Sequence, residues 1–172
     1  ANIIFESLVD LVPKDTFVLR KYAVGLIRVG ELAKAESILE DIVAQNKAQK
    51  VGDADISLVL AGVYTSLGKT KKAQGVYESI IAKDKTNEDA CIFLSKTHIL
   101  EGKQGKAKKI LRQCEKHVKG KGIFSYYIGK MLVDEGKLEK AKVYFRKASK
   151  IEPGFSQAIM ALGLVHEEQN KK

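Results

Sequence analysis

A chain of 172 residues with 30% charged side chains and only two prolines reads as helical, and no apolar run reaches the ~20 residues that a membrane span needs. Its formal net charge of +9 favours acidic partners. Two cysteines are too few for a disulfide scaffold, so the expectation is two buried free thiols, a reducing compartment and a cytoplasmic protein.

The N-terminal stretch ANIIFESLVDLV carries Glu6 and Asp10 with no basic lead, which is not a signal-peptide pattern. The chain starts without Met, and the expectation is a piece of a longer protein. Helices are expected over residues 2–12, 16–29, 32–47, 54–67, 70–83, 88–101, 104–118, 122–135, 138–151 and 156–169. Asp15 or Thr16, Asp53 and Thr86 stand where N-caps are needed, and Glu88 and Asp89 suit the positive end of a helix dipole. Gly68-Lys69-Thr70 looks like the tail of a phosphate loop, but that motif requires glycine at 63, where valine stands.

The glycines give the frame. Gly30, Gly68, Gly102 and Gly136 are spaced by 38, 34 and 34 residues. Five residues after each comes alanine (Ala35, Ala73, Ala107, Ala141), and four further on a large apolar residue (Leu39, Tyr77, Leu111, Phe145). Seven residues before each glycine stands a small residue (Ala23, Ala61, Ser95, Gly129), preceded by a large one (Tyr22, Leu60, Leu94, Ile128). Small residues let two helices approach closely, and a glycine in the left-handed conformation turns one helix into the next. Each unit is therefore a helix, a tight turn and an antiparallel helix. The four extra residues of the first interval are assigned to the polar stretch NKAQKVGDAD, 46–55.

This pattern resembles the tetratricopeptide repeat family, whose period is about 34 residues with the signature W-x2-L-G-x2-Y, A-x3-F and P. The residues that match best are LAGVY (Leu60, Ala61, Tyr64), LEKAKVYFRKASKIEP (Ala141, Phe145, Pro153) and LGLVH (Leu162, Gly163, His166). The signature tryptophan is absent: its position holds Leu19, Ser57, Cys91, Ser125 and Ile159, and Lys47, Lys85 and Lys119 replace proline. Ala1, Phe5 and Pro13 share the spacing of Ala141, Phe145 and Pro153. The resemblance thus implies one all-α, right-handed superhelical solenoid of antiparallel helix pairs over 1–172. It comprises a half repeat at 1–15, repeats at 16–53, 54–87, 88–121 and 122–155, and a half repeat at 156–172.

The resemblance also implies a non-catalytic scaffold that binds a peptide or partner protein in a concave groove lined by first helices. The groove candidates are Phe17, Arg20, Lys21, Val24, Arg28, Leu58, Ile92, Phe93, Lys96, Tyr126, Tyr127 and Lys130. Apolar residues with basic spots suit a peptide of some acidic character. A subgroup of the family grips a chaperone's terminal carboxylate with a lysine/asparagine clamp. The matching positions are Arg20, Val24, Val59, Asp89 and Phe93, of which only Arg20 has suitable chemistry.

Residues 103–121 form a second candidate, a basic patch of Lys103, Lys106, Lys108, Lys109, Arg112, Lys116, Lys119 and Lys121 with one acid. Such a patch is commonly a solvated helix face, or else a dock for an acidic protein, anionic lipid or nucleic acid. It lacks the interleaved aromatics of single-strand readers, so nucleic acid is disfavoured. Cys91 and His98 are seven residues apart, ~10 Å along a helix, too far to share a metal ion. His98 and His166 replace the family tyrosine and are expected to pack. No nucleophile–base pair or cofactor motif appears, so no enzyme, metal or cofactor is expected. Self-association through the terminal half repeats is the alternative reading.

Overall fold

The computed structural model describes residue 11, residues 15–49 and residues 52–170. The helix expected at 2–12, and with it most of the first half repeat, lies outside the described residues. The described helices are α1 (Thr16–Arg28), α2 (Leu32–Ala48), α3 (Ala54–Ser66), α4 (Thr70–Lys83), α5 (Glu88–Leu100), α6 (Gln104–His117), α7 (Ile123–Asp134), α8 (Leu138–Ile151) and α9 (Ser156–Asn170). The described residues form an all-helical fold in which the helices follow one another in chain order. Two compact units are present, residues 1–80 and 81–172, divided within α4.

The turns are built as the glycine spacing predicts. Gly30, Gly68, Gly102 and Gly136 have φ of 83°, 73°, 72° and 70°. After each, the next residue's N–H reaches back to a carbonyl five residues earlier: Glu31 to Leu26, Lys69 to Tyr64, Lys103 to His98 and Lys137 to Leu132, at 2.8–2.9 Å. This double closure satisfies carbonyls that a helix end would otherwise leave open.

Helix starts follow side-chain chemistry. The Asp15 carboxylate accepts from the Phe17 and Val18 N–H groups, and that of Asp53 from Ile56 N–H. At α5 the cap is Asn87, which accepts from Ala90 N–H, and not Thr86 as expected. Thr86 instead donates both its N–H and its hydroxyl to the Asp84 carboxylate, a local turn that withdraws it from capping. The long first interval is also placed differently: α2 has 17 residues where α4, α6 and α8 have 14. Three of the extra residues thus extend a helix, because Asn46-Lys47-Ala48 can continue it without burying a charge.

Close approach occurs where the small residues predict it. Ala23, Ala35, Ala61, Ala73, Ala107 and Ala141 are fully buried. Gly129 is the tightest point: a Cβ there would meet the Phe145 ring at 2.5 Å. In the second unit Cys91, Leu111, Phe124, Ile128, Met131 and Phe145 form one continuous core. Within it Cys91 and Cys114 are joined in a disulfide between α5 and α6. The expectation of two free thiols is therefore corrected. Both sulfurs point into the same helix–helix contact, so burial brings them together, and the inference of a reducing compartment loses its premise.

The first unit holds a polar cluster. The Lys69 ammonium donates to both oxygens of Glu36, at 2.7 and 2.6 Å, and the Glu36 carboxylate is itself buried. Beside it the Tyr64 hydroxyl donates to Glu40 at 2.6 Å, and Lys72 pairs with Glu40 at 3.1 Å while lying over the Tyr64 ring. Burial, then the Glu40 carboxylate, push the Tyr64 phenol well above the ordinary tyrosine range. The Tyr64 and Lys72 hydrogen bonds hold Glu40 below the usual carboxylate range. Lys69, the residue of the apparent phosphate loop, is thus a partner of a buried carboxylate.

Glu135 ties α6 to the turn between α7 and α8. It accepts from Lys108 and, at 2.8 Å, from Lys137. Those two hydrogen bonds, Lys108 first, lower its carboxyl to about 2. A carboxyl depressed when folded stabilises above its unfolded value of about 4.3, and that stabilisation is lost as pH falls toward 2. Glu135→Gln is expected to be less stable than wild type at neutral pH and to show a shallower loss between pH values of about 4 and 2. Urea denaturation across that range would read the difference.

Candidate functional site

All but one of the groove candidates of the first unit lie on α1, and Leu58 lies on α3. Phe17, Lys21, Val24 and Arg28 are exposed and spaced by three or four residues, so they share one helix face. The Lys21 ammonium sits 5.5 Å from the centre of the Phe17 ring. Arg20 is otherwise engaged: its guanidinium pairs with Asp53 at 3.3 Å, the residue that caps α3. It serves the helix junction while its side chain stays 42% exposed. Leu58 is half-buried.

In the second unit the candidates on α5 and α7 come together. Phe93 and Lys96 project from α5, and Tyr126, Tyr127 and Lys130 from α7. The Lys96 ammonium lies over two rings, 5.4 Å from the centre of Phe93 and 5.2 Å from that of Tyr127, so it bridges the two helices. Lys130 lies 5.9 Å from the centre of the Tyr126 ring. Tyr126 meets Tyr127 edge-on at 5.6 Å and Phe155 at 5.3 Å. A cation held over ring faces is attracted by their negative quadrupole while its outer side stays open to an anion. Ile92 does not join this surface. It is buried in the core, because it faces inward between Cys91 and Phe93, and its place among groove residues is corrected. Phe155, which sequence reading did not connect with this surface, is buried and supports Tyr126 from behind. Its position just after Pro153-Gly154 marks it as loop, and only the fold brings its ring against Tyr126.

The basic patch is partly spent on internal pairs. Lys103 pairs with Glu101, Lys108 with Glu135 and Lys121 with Glu88. Arg112 donates to the Tyr144 hydroxyl at 3.1 Å. Lys106, Lys109, Lys116 and Lys119 are exposed and form no ion pair among the described residues. His98 is buried with Nδ1 3.4 Å from Glu101, as packing would require, whereas His166 is exposed on α9 and does not pack as expected. Among the described residues no group of three His, Cys, Asp or Glu could hold a metal ion.

Consecutive helix pairs with left-handed glycine turns and small residues at each crossing define a helical-repeat protein. The family model described as "Tetratricopeptide repeat" matches residues 126–155, the stretch from Tyr126 to Phe155 that contains Ala141, Phe145 and Pro153. Residues 126–155 thus carry a tetratricopeptide repeat, and the described helices share the fold of solved proteins built from such repeats. No curated protein matches it in sequence. Among solved structures it is similar to a thermophilic tetratricopeptide repeat protein of Thermus thermophilus, with 16% identity and a TM-score of 0.68 over 95% of this chain and 88% of that one. YrrB, described as a tetratricopeptide repeat protein with an unusual peptide-binding site, matches at 18% identity and a TM-score of 0.62, over 100% and 87% of the two chains. MamA of Desulfovibrio magneticus RS-1 matches at 15% and 0.65, over 91% and 86%. At these identities the likeness is one of fold.

Proposed function

We propose that this protein is a non-catalytic scaffold that binds a partner protein or peptide on the exposed faces of its first helices. Repeats of this family typically serve protein–protein interaction. The observation that carries the finer reading is Lys96 over both Phe93 and Tyr127, with Lys130 over Tyr126 beside it. Aromatic anchors beside an exposed cation suit an extended segment carrying carboxylates, and aromatic side chains are typical centres of binding energy. The peptide site named for YrrB lends support by analogy of fold.

Lys96→Glu with Lys130→Glu is expected to weaken a partner captured from the native cell at least about tenfold, since each hot-spot side chain is worth ~1–2 kcal/mol. Calorimetric titration with the purified partner is the measurement. Unchanged affinity would remove the first helices as its binding surface.

Self-association is favoured by one observation. On α9, Ile159, Met160 and Leu164 are exposed, at 52%, 67% and 64%. Positions 159 and 163 correspond, at the 34-residue period, to Ser125 and Gly129, which are buried in α7. A second copy covering this face would give a mass above the monomer by sedimentation equilibrium, reduced by Met160→Glu with Leu164→Glu. A monomer at all concentrations would exclude it.

A further inference from the structure

The charge of this chain is concentrated on two helices. α6 and α8 carry ten Lys and Arg against Glu115 and Glu139, a balance of +8 in a chain of +9. The two helices are linked side by side, Arg112 donating to the Tyr144 hydroxyl and Lys147 to Glu115 at 2.7 Å. Lys106, Lys109, Arg112 and Lys116 form one exposed row on α6; Lys140, Arg146 and Lys150 form the corresponding row on α8. None of these seven forms an ion pair among the described residues.

We propose that this α6–α8 face is a peripheral docking surface for anionic lipid membranes. Each row extends ~15 Å, from ten residues at 1.5 Å each, and the two rows stand on helices joined by the Arg112–Tyr144 and Lys147–Glu115 contacts. An extended acidic chain passes one row at a time. The line between the rows, from which it could reach both, is closed by the Arg112–Tyr144 and Lys147–Glu115 contacts, and Glu115 repels carboxylates. A plane of anionic headgroups meets both rows at once without needing a pocket. Val143 is 61% exposed on α8 amid Lys140, Arg146 and Lys147, an apolar contact suited to the headgroup boundary. Nucleic acid is less well matched. α6 has no aromatic ring beyond the His117 imidazole, and on α8 Phe145 is buried and Tyr144 is half-buried and bonded to Arg112. No described helix is long and apolar enough to cross a membrane, so attachment here is electrostatic and from one side.

The test is vesicle co-sedimentation of the whole chain. Vesicles of equal parts phosphatidylcholine and phosphatidylglycerol should bind it at low salt, pure phosphatidylcholine should not, and high salt should release it. Reversing Lys106, Lys109, Lys140 and Lys150 to Glu is expected to weaken binding by about a hundredfold or more, at ~fivefold per basic residue. A control with the same change of net charge, Lys34, Lys47, Lys71 and Lys85 to Glu, should stay within about fivefold of wild type. Circular dichroism confirms that both variants are folded. Failure to bind anionic vesicles at low salt, or equal losses in both variants, overturns the proposal. So does tighter binding, through the same four lysines, to double-stranded RNA or a poly-glutamate peptide. Because this face is separate from Phe93, Lys96, Tyr126, Tyr127 and Lys130, either outcome leaves the peptide-binding reading to its own experiment.

Discussion

Replacing Phe145 by alanine is expected to destabilise the second unit by about 3–5 kcal/mol, read by urea denaturation. The ring is buried at 1% exposure and lies where the side chain of residue 129 would otherwise stand. Gly129 has nothing to move into the space, and the surrounding Leu111, Ile128 and Met131 belong to the same packed core, so the cavity cannot collapse. The converse change fails for the opposite reason. Gly129→Ala puts a Cβ 2.5 Å from a ring that cannot swing away, an overpacking cost of ~1–3 kcal/mol. The two positions should therefore compensate. Gly129→Ala with Phe145→Leu restores the residue types that stand at 23 and 39, and it should be more stable than the sum of its single changes predicts. Strict additivity would show that the ring and the glycine do not share one packing site.

Removing the Cys91–Cys114 disulfide is expected to cost about 3 kcal/mol, the loss of a cross-link that closes a loop of 23 residues. Cys91→Ala with Cys114→Ala should unfold at lower denaturant and be indifferent to reductant. Wild type should fall toward the variant when dithiothreitol is added. Both cysteines are buried in the same core as Leu111 and Ile128, so reduction requires local opening and should be slow in native buffer and fast in denaturant. Thiol titration of unreduced protein in denaturant checks the premise: two reactive thiols would show that the bond had not formed, and none that it had. The same cross-link joins α5, which carries Phe93 and Lys96, to α6, which carries Lys106 and Lys109. Loss of the bond should loosen both candidate surfaces together.

Much of the fold was legible because repeats state their rules several times over. One glycine in a helical text is ambiguous. Four at the same offset from an alanine, a small residue and a large one describe a crossing, and the buried alanines and left-handed glycines follow from that spacing. Helix limits came within a residue or two for the same reason. The candidate site was less legible. Phe93, Lys96, Tyr126, Tyr127 and Lys130 could be placed on exposed helix faces, but their grouping depends on how α5 and α7 lie together. Ile92 was misplaced because one residue along a helix turns a side chain by about 100°, enough to move it from surface to core.

By itself the amino-acid sequence determined the helix pairs, their turns and the concentration of charge on two second helices, since these rest on contacts within one turn or on residue type. Only the tertiary structure decided which groups meet across helices. It joined Cys91 to Cys114 over 23 positions, Lys69 to Glu36 over 33 and Arg112 to Tyr144 over 32. Those pairings depend on the rotation and spacing of packed helices, which the local period of a single helix does not encode.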